Sequence, residues 1–178
     1  MRSDKGPQFE PAGTFDYVRK AVEVVKLNRA VMAEVAADMS VIRFGLAVTA
    51  IGGAVAVLPY TNIRGIIVAA VYSIAALFLF AGFVHVMAGY SGGKQEFMGF
   101  VRVIALSGII DWVAVVPVIG LFATTWSVVI AVVAARQIYD LRRGRAAFVV
   151  ILATLVMWAI TAMIFSGSLG SLYKMRGA

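Results

Sequence analysis

Five stretches of this chain carry no formal charge: residues 44–63, 65–93, 103–110, 112–135 and 146–173. The hydrocarbon core of a bilayer is about 30 Å thick, and a helix rising ~1.5 Å per residue crosses it with about 20 apolar residues. Composition agrees with a membrane setting. Of 178 residues 62% are apolar and 14% charged, with a mean hydropathy of +0.93, whereas soluble domains hold roughly 45–50% and about 25%. A single soluble core of this size could not hide so many apolar side chains. The chain therefore reads as one compact, all-α, polytopic membrane domain.

The first stretch predicts a helix over 41–58, stopped by Pro59; the second predicts 65–88 and the last 145–165. The middle is harder to divide. Residues 97–139 as one helix would measure about 65 Å, too long for one crossing and suitable for two. The break is expected in "PVIG", where Pro117 removes a backbone donor and Gly120 permits a tight turn. Helices are therefore placed at 98–116 and 119–139, with a re-entrant hairpin as the alternative for this pair.

Five spans put the termini on opposite sides, and the basic residues orient them. Of the 16 lysines and arginines, only Arg64, Lys174 and Arg176 fall on the side away from the N-terminus. Lys and Arg concentrate on the cytoplasmic side, so the N-terminus is expected inside and the C-terminus outside. Topology also accounts for the net charge of +7, and basic residues spread among membrane-adjacent segments do not suggest a nucleic-acid surface. Residues 1–13 read as a poorly ordered polar tail and 40–168 as the membrane domain, with 169–178 a short non-cytoplasmic tail. No cleaved signal peptide is expected, because the first forty residues scatter charges without an apolar core region.

Residues 14–39, "TFDYVRKAVEVVKLNRAVMAEVAADM", predict one amphipathic helix, with Thr14 or Asp16 able to cap its start. Phe15, Val18, Val22 and Val25 recur at spacings of three and four, with Arg19, Lys20, Glu23 and Lys26 elsewhere. A basic amphipathic helix at a cytoplasmic face is expected to lie in the interface against anionic headgroups. Docking to a cytosolic partner is the alternative.

From residue 92 onward the order "GGKQEF", then "RVIALSGIIDWVAVVPVIGLFATTWSVVIAVVAARQIYDLRRGRAAFVVILATL", resembles the Yip-domain family. These are the Ypt/Rab-interacting membrane proteins and their prokaryotic relatives. The likeness lies in a Gly-Gly loop before the third helix, Pro and Gly at the next turn, and an early Trp in the fourth helix. A basic loop then enters the fifth helix through "GRAA". It covers roughly residues 15–166. The resemblance implies five helices, a cytoplasmic N-terminus and no catalytic residues. The long acidic-aromatic region and Asp-Leu-Tyr-Gly-Pro motif of eukaryotic members are missing, so the match is to a prokaryotic plasma-membrane member.

Ionisable groups inside a membrane are the default functional candidates. Two qualify. His85 lies near the cytoplasmic end of the second helix, and as the sole histidine it lacks companions for a metal site. A neutral imidazole bonded to a carbonyl or interfacial water is one reading and a proton relay the other. Asp111 lies ~9 Å along the helix from Pro117, next to Trp112, a residue type that favours the interface. It reads either as a structural carboxylate within reach of headgroups, water or Arg64, or as part of a transport path.

Lys94, Arg102, Arg136, Arg142, Arg143 and Arg145 form a candidate basic face for anionic headgroups or an acidic partner. Gly45, Thr49 and Gly53 have the small-residue spacing that permits close helix approach, within the chain or in a homo-oligomer. The sequence has no cysteine, which removes disulfides, thiolate metal sites and cysteine nucleophiles. No metalloprotease, phosphate-loop, serine-elbow or dinucleotide signature occurs, and no cofactor is expected. The leading expectation is a non-enzymatic protein that organises membrane lipids or proteins. A small transporter or channel using Asp111 and His85 is the alternative.

Overall fold

The computed structural model describes residues 13–59, 61–93 and 96–176, so Lys94 and nearly all of the polar N-terminal tail lie outside the described residues. The described chain is all-α. Its helices are α1 (Thr14–Val25), α2 (Arg29–Ala37), α3 (Val41–Val57), α4 (Ile63–Tyr90), α5 (Phe97–Ser107), α6 (Pro117–Ile138) and α7 (Arg143–Arg176), with a 3₁₀ segment (Gly108–Val115) between α5 and α6.

Three helical stretches are long and apolar enough to cross a bilayer: Ile63–Tyr90, Val118–Ile138 and Arg143–Ile164. A fourth candidate span arises if α2 and α3, bent by 109° at their junction, count as one. Exposed apolar side chains cover these helices, among them Ile67, Val68 and Val71 on α4, Leu121 and Phe122 on α6, and Leu155 and Trp158 on α7. In water such a surface would be costly, whereas acyl chains cover it without penalty.

The predicted single helix over 14–39 is two helices. The α1 helix ends with Leu27 in a left-handed conformation (φ 64°), while the Leu27 amide donates to the Val24 carbonyl and the Asn28 amide to that of Glu23. This is a Schellman closure. Asn28 then caps α2 by accepting from the Ala30 and Val31 amides, and its own amide donates to Glu23. The α4 helix closes the same way, with Gly92 at φ 78° and the Gly93 amide on the Ala88 carbonyl. So does α6, with Asp140 at φ 55° and the Leu141 amide on Arg136. Only the α4 end uses the glycine that a sequence reader looks for.

The arm expected as a helix over 98–116 is divided. Eleven α-helical residues continue as eight in 3₁₀ form. The tighter helix rises ~2.0 Å per residue against ~1.5 Å, so the two pieces span about 33 Å, close to the hydrocarbon thickness. The turn also falls earlier than expected. Val116 is extended and Pro117 is the first residue of α6, where its fixed φ suits the helix and its missing N–H costs nothing. Gly120 is not a turn residue: it is buried inside α6, its amide donating to the Val116 carbonyl at 2.7 Å. At the other end, α7 runs past the predicted stop at 165 to Arg176; no proline interrupts "SGSLGSLYKMR".

The α5 helix lies at the centre, touching α1, α2, α3, α4 and α6. Seven of its eleven residues are buried, including Phe100, Val101, Val103 and Leu106. These share one core with Ala21 and Val24 of α1, Met32 and Val35 of α2, Ile130 and Ala134 of α6, and Val149 and Val150 of α7. Helix approach is closest where side chains are smallest. A Cβ on Gly45 would sit 2.9 Å from that of Ala105, and one on Gly53 would meet Ser73 at 2.5 Å. The Thr49 hydroxyl donates to the Gly45 carbonyl at 3.0 Å and approaches that of Ala105 at 3.3 Å. Gly45, Thr49 and Gly53 are thus occupied by contacts within the chain, the first two facing α5 and the third facing α4.

Candidate functional site

The ends of α4 and α6 and the starts of α5 and α7 converge at one end of the bundle, called here the basic end. Gly93 packs against the Tyr139 carbonyl, and the Arg145 guanidinium donates to the Ser91 carbonyl at 3.1 Å. Arg142 and Arg143 are exposed beside them, and Arg136, in the last turn of α6, is half-buried. Arg102 departs from the expected headgroup face. Its guanidinium donates to the Ala36 carbonyl at the end of α2, where the helix dipole favours a cation.

The α1–α2 pair is fastened along α6 and to the start of α3 by side chains that bond across elements. The Trp126 indole donates to the Val25 carbonyl at 2.9 Å, and the Gln137 amide donates to the Arg29 carbonyl. Tyr17 stacks on Phe44, and its hydroxyl lies 2.7 Å from that of Ser40. The apolar arc of α1 is consequently divided. Ala21 and Val24 are buried in the protein, whereas the expected stripe contributes its other flank to the outside, with Phe15 92%, Val18 37% and Val22 40% exposed. Val25 packs on the core.

Lys20 joins α1 to α2. Its ammonium lies 2.9 Å from Glu34, 3.4 Å from Asp16 and 3.6 Å from Asp38, with the side chain 12% exposed. Burial alone would lower its pKa, but hydrogen bonds and charge attraction from Glu34 and Asp16 outweigh it and hold Lys20 above the ordinary lysine value. Asp38 is held below the usual carboxylate range, chiefly because the Ser40 hydroxyl donates to it; burial opposes that shift, while the Ser40 amide and Lys20 reinforce it. The same two Ser40 bonds, 2.6 Å and 2.9 Å, form the sharp turn from α2 into α3. Glu23 is lowered by hydrogen bonds from Asn28 and Lys26.

The two intramembrane candidates lie apart. His85 is edge-on to Phe97 at 5.4 Å and tilted against Tyr139 at 5.8 Å, with Phe100 completing the aromatic cluster. Among the described residues its Nδ1 and the Tyr139 hydroxyl are buried without a hydrogen-bond partner. Asp111 sits in the 3₁₀ segment, exposed, and accepts from the Ser127 hydroxyl at 3.4 Å. Trp112 beside it donates to the Val48 carbonyl at 3.1 Å, which fixes the segment against α3. Among the described residues Asp111 forms no salt bridge, with Arg64 or any other cation.

Two clefts open near the N-terminal pair. One, of about 320 Å³, lies between α1 and α2 and is lined by Asp16, Arg19, Lys20, Glu23, Val31 and Glu34. The other, of about 270 Å³, lies between α2 and α6 and is lined by Arg29, Val133, Arg136, Gln137 and Asp140. Neither reaches Asp111 or His85. Among the described residues no group of three or more histidine, aspartate or glutamate side chains is placed to hold a metal.

Sequence reasoning identified Arg136 and Arg145 at this end but overlooked Lys20, Arg29, Trp126 and Gln137 as contacts. Their partners are backbone carbonyls or carboxylates on other elements, which helical periodicity does not encode. Asn28, a good N-cap before "RAVMAEV", was the one local signal for the break that creates the second cleft. No protein-family model matches the chain, and comparison with curated proteins and with solved structures returns no match. The fold and composition are those of a multi-helix membrane protein.

Proposed function

We propose that this chain is a non-enzymatic, Yip-domain-like membrane protein of prokaryotic type. It would lie in the plasma membrane with five spans and a cytoplasmic N-terminus, organising lipids or membrane proteins through a basic cytoplasmic face. In this reading α3, α4, α6 and α7 each cross the membrane, and α5 with its 3₁₀ extension makes the remaining crossing. The observation that carries the reading is the docking of the amphipathic α1–α2 pair along α6, with the Arg29 carbonyl held by Gln137 at the basic end and Phe15, Val18 and Val22 turned outward. An apolar flank on α1 and a cluster of arginines at the basic end both suit the headgroup region, where acyl chains take the first and anionic phosphates the second.

The transporter alternative has less support, since the two clefts described are lined by neither Asp111 nor His85. Purification of the full chain in a mild detergent, followed by mass spectrometry of co-purifying species, tests the proposal. It expects a reproducible lipid, protein partner or oligomer; a preparation containing none of these counts against it. Proton or solute flux in liposomes that is lost in Asp111→Asn would move the assignment to transport.

A further inference from the structure

The cleft between α2 and α6 brings together features that no single segment of the sequence holds. Arg29 enters it from the first residue of α2, and Arg136 from the last turn of α6. Neither guanidinium forms a salt bridge with a described carboxylate. The walls are held together by the Gln137 side chain, whose Nε2 donates to the Arg29 carbonyl. Because that contact requires a donor, the Oε1 atom is the acceptor left over, and among the described residues it is buried without a hydrogen-bond partner. Asp140 completes the polar lining. Among the described lining residues, two cations face one carboxylate.

The other side of the cleft is apolar. Val133 lines it, and Val129 and Trp126 follow on the same α6 face, because positions 126, 129, 133 and 136 are spaced three, four and three apart. Val129 and Trp126 are 36% and 40% exposed. A cationic mouth thus continues into an apolar strip along a helix long enough to span the membrane. A free phosphate would use only the mouth, whereas a phospholipid uses both.

We propose that this cleft binds an anionic glycerophospholipid. Arg29 and Arg136 take the phosphodiester, and an acyl chain lies along the α6 face that carries Val133, Val129 and Trp126. Guanidinium suits this role because its planar fork makes two parallel hydrogen bonds to phosphate oxygens. The inference rests on the lipid-organising reading above and narrows it to one site. It also gives the start of α2 a role as one wall of a headgroup pocket.

The test is native mass spectrometry of the full chain in mild detergent, titrated separately with phosphatidylglycerol, phosphatidylcholine and inorganic phosphate. Wild type is expected to hold phosphatidylglycerol in preference to phosphatidylcholine and to show no comparable response to inorganic phosphate. Each arginine near an anionic lipid contributes about fivefold in affinity, so R29Q/R136Q should bind about 25-fold more weakly. R29K/R136K keeps the charge without the fork and should fall between; its unfolding temperature, compared with wild type, separates lost binding from lost folding. R142Q/R143Q removes the same charge from exposed arginines outside the cleft and should lose much less affinity than R29Q/R136Q.

Equal losses in R29Q/R136Q and R142Q/R143Q would overturn the site and leave only diffuse attraction to the basic end. A response to inorganic phosphate that matches phosphatidylglycerol would overturn the lipid assignment. If wild type holds phosphatidylglycerol and R29Q/R136Q holds it equally well, the site fails and the broader reading stands. If wild type holds no lipid, the site fails together with the lipid half of the broader reading, whose protein-organising half is judged by the co-purification test.

Discussion

Gly53 and Gly82 allow the close α3–α4 packing to be tested with one chemical change in two environments. Both are helical, in α3 and α4 respectively. A methyl group on Gly82 meets nothing within 4 Å, whereas on Gly53 it would lie 2.5 Å from the Ser73 hydroxyl, 2.6 Å from the Ser73 Cβ and 2.8 Å from the Ala69 carbonyl oxygen. The hydroxyl can rotate away, breaking its 3.0 Å bond to the Thr49 carbonyl. The Cβ and the carbonyl are fixed by α4. Restoring an ordinary separation of 3.4 Å from 2.6 Å moves the helices apart locally by about 0.8 Å. Overpacking of this kind costs about 1–3 kcal/mol, and the lost hydroxyl bond adds about 1 kcal/mol. Each substitution also gains up to about 1 kcal/mol of helix propensity, and that gain cancels when the two variants are compared. Gly53→Ala should therefore be less stable than Gly82→Ala by about 2–4 kcal/mol. Equilibrium unfolding in detergent, followed by tryptophan fluorescence, measures the difference. Variants that agree within about 0.5 kcal/mol would refute the close approach of α3 and α4.

Three further outcomes follow from the N-terminal pair and the helix ends. Gly92→Ala clashes with nothing within 4 Å, yet at φ 78° it should cost about 1 kcal/mol in the same unfolding assay, since a left-handed backbone penalises any Cβ. Trp126→Phe removes the indole bond to the Val25 carbonyl, worth about 1 kcal/mol, so hydrogen exchange of α1 should quicken about fivefold while the core of α5 keeps its protection. Docking of α1–α2, followed by limited proteolysis, should be flat through neutral pH and loosen at both extremes. The lowered values of Asp38 and Glu23 give stability that is present above their ordinary 3.8 and 4.5 and is lost as pH falls through the folded-state values. The raised value of Lys20 gives stability that is complete below 10.5 and is lost as pH rises through its folded-state value. Lys20→Gln should abolish the alkaline limb alone; a transition near neutrality would contradict the ion-pair account.

The sequence by itself determined that this chain is a helical membrane protein. It also placed α3, α4 and the start of α6 within about two residues of where they lie, because apolar length and breakers such as Pro59 and Pro117 act locally. It placed Arg136, Arg142, Arg143 and Arg145 in one loop for the same reason. Local signals failed where a helix ended without glycine or proline. Leu27 adopts a left-handed conformation that its type rarely chooses and Asp140 one that aspartate takes more readily, and the hydrogen bonds of the Schellman closures offset the strain. The 3₁₀ form of 108–115 has the same origin. Trp112 and Thr49 bond across to α3 and α5, and the stretched segment keeps those contacts in register.

Only the tertiary structure decided that Arg102 turns inward and that Gly45 and Gly53 serve different neighbours. It alone set Arg29 opposite Arg136, residues separated by most of the membrane domain. The charge pattern shows which end of the bundle is basic. Which arginines share a cleft is fixed by the α1–α2 fold and its bonds to α6, long-range contacts that no periodicity along the chain records.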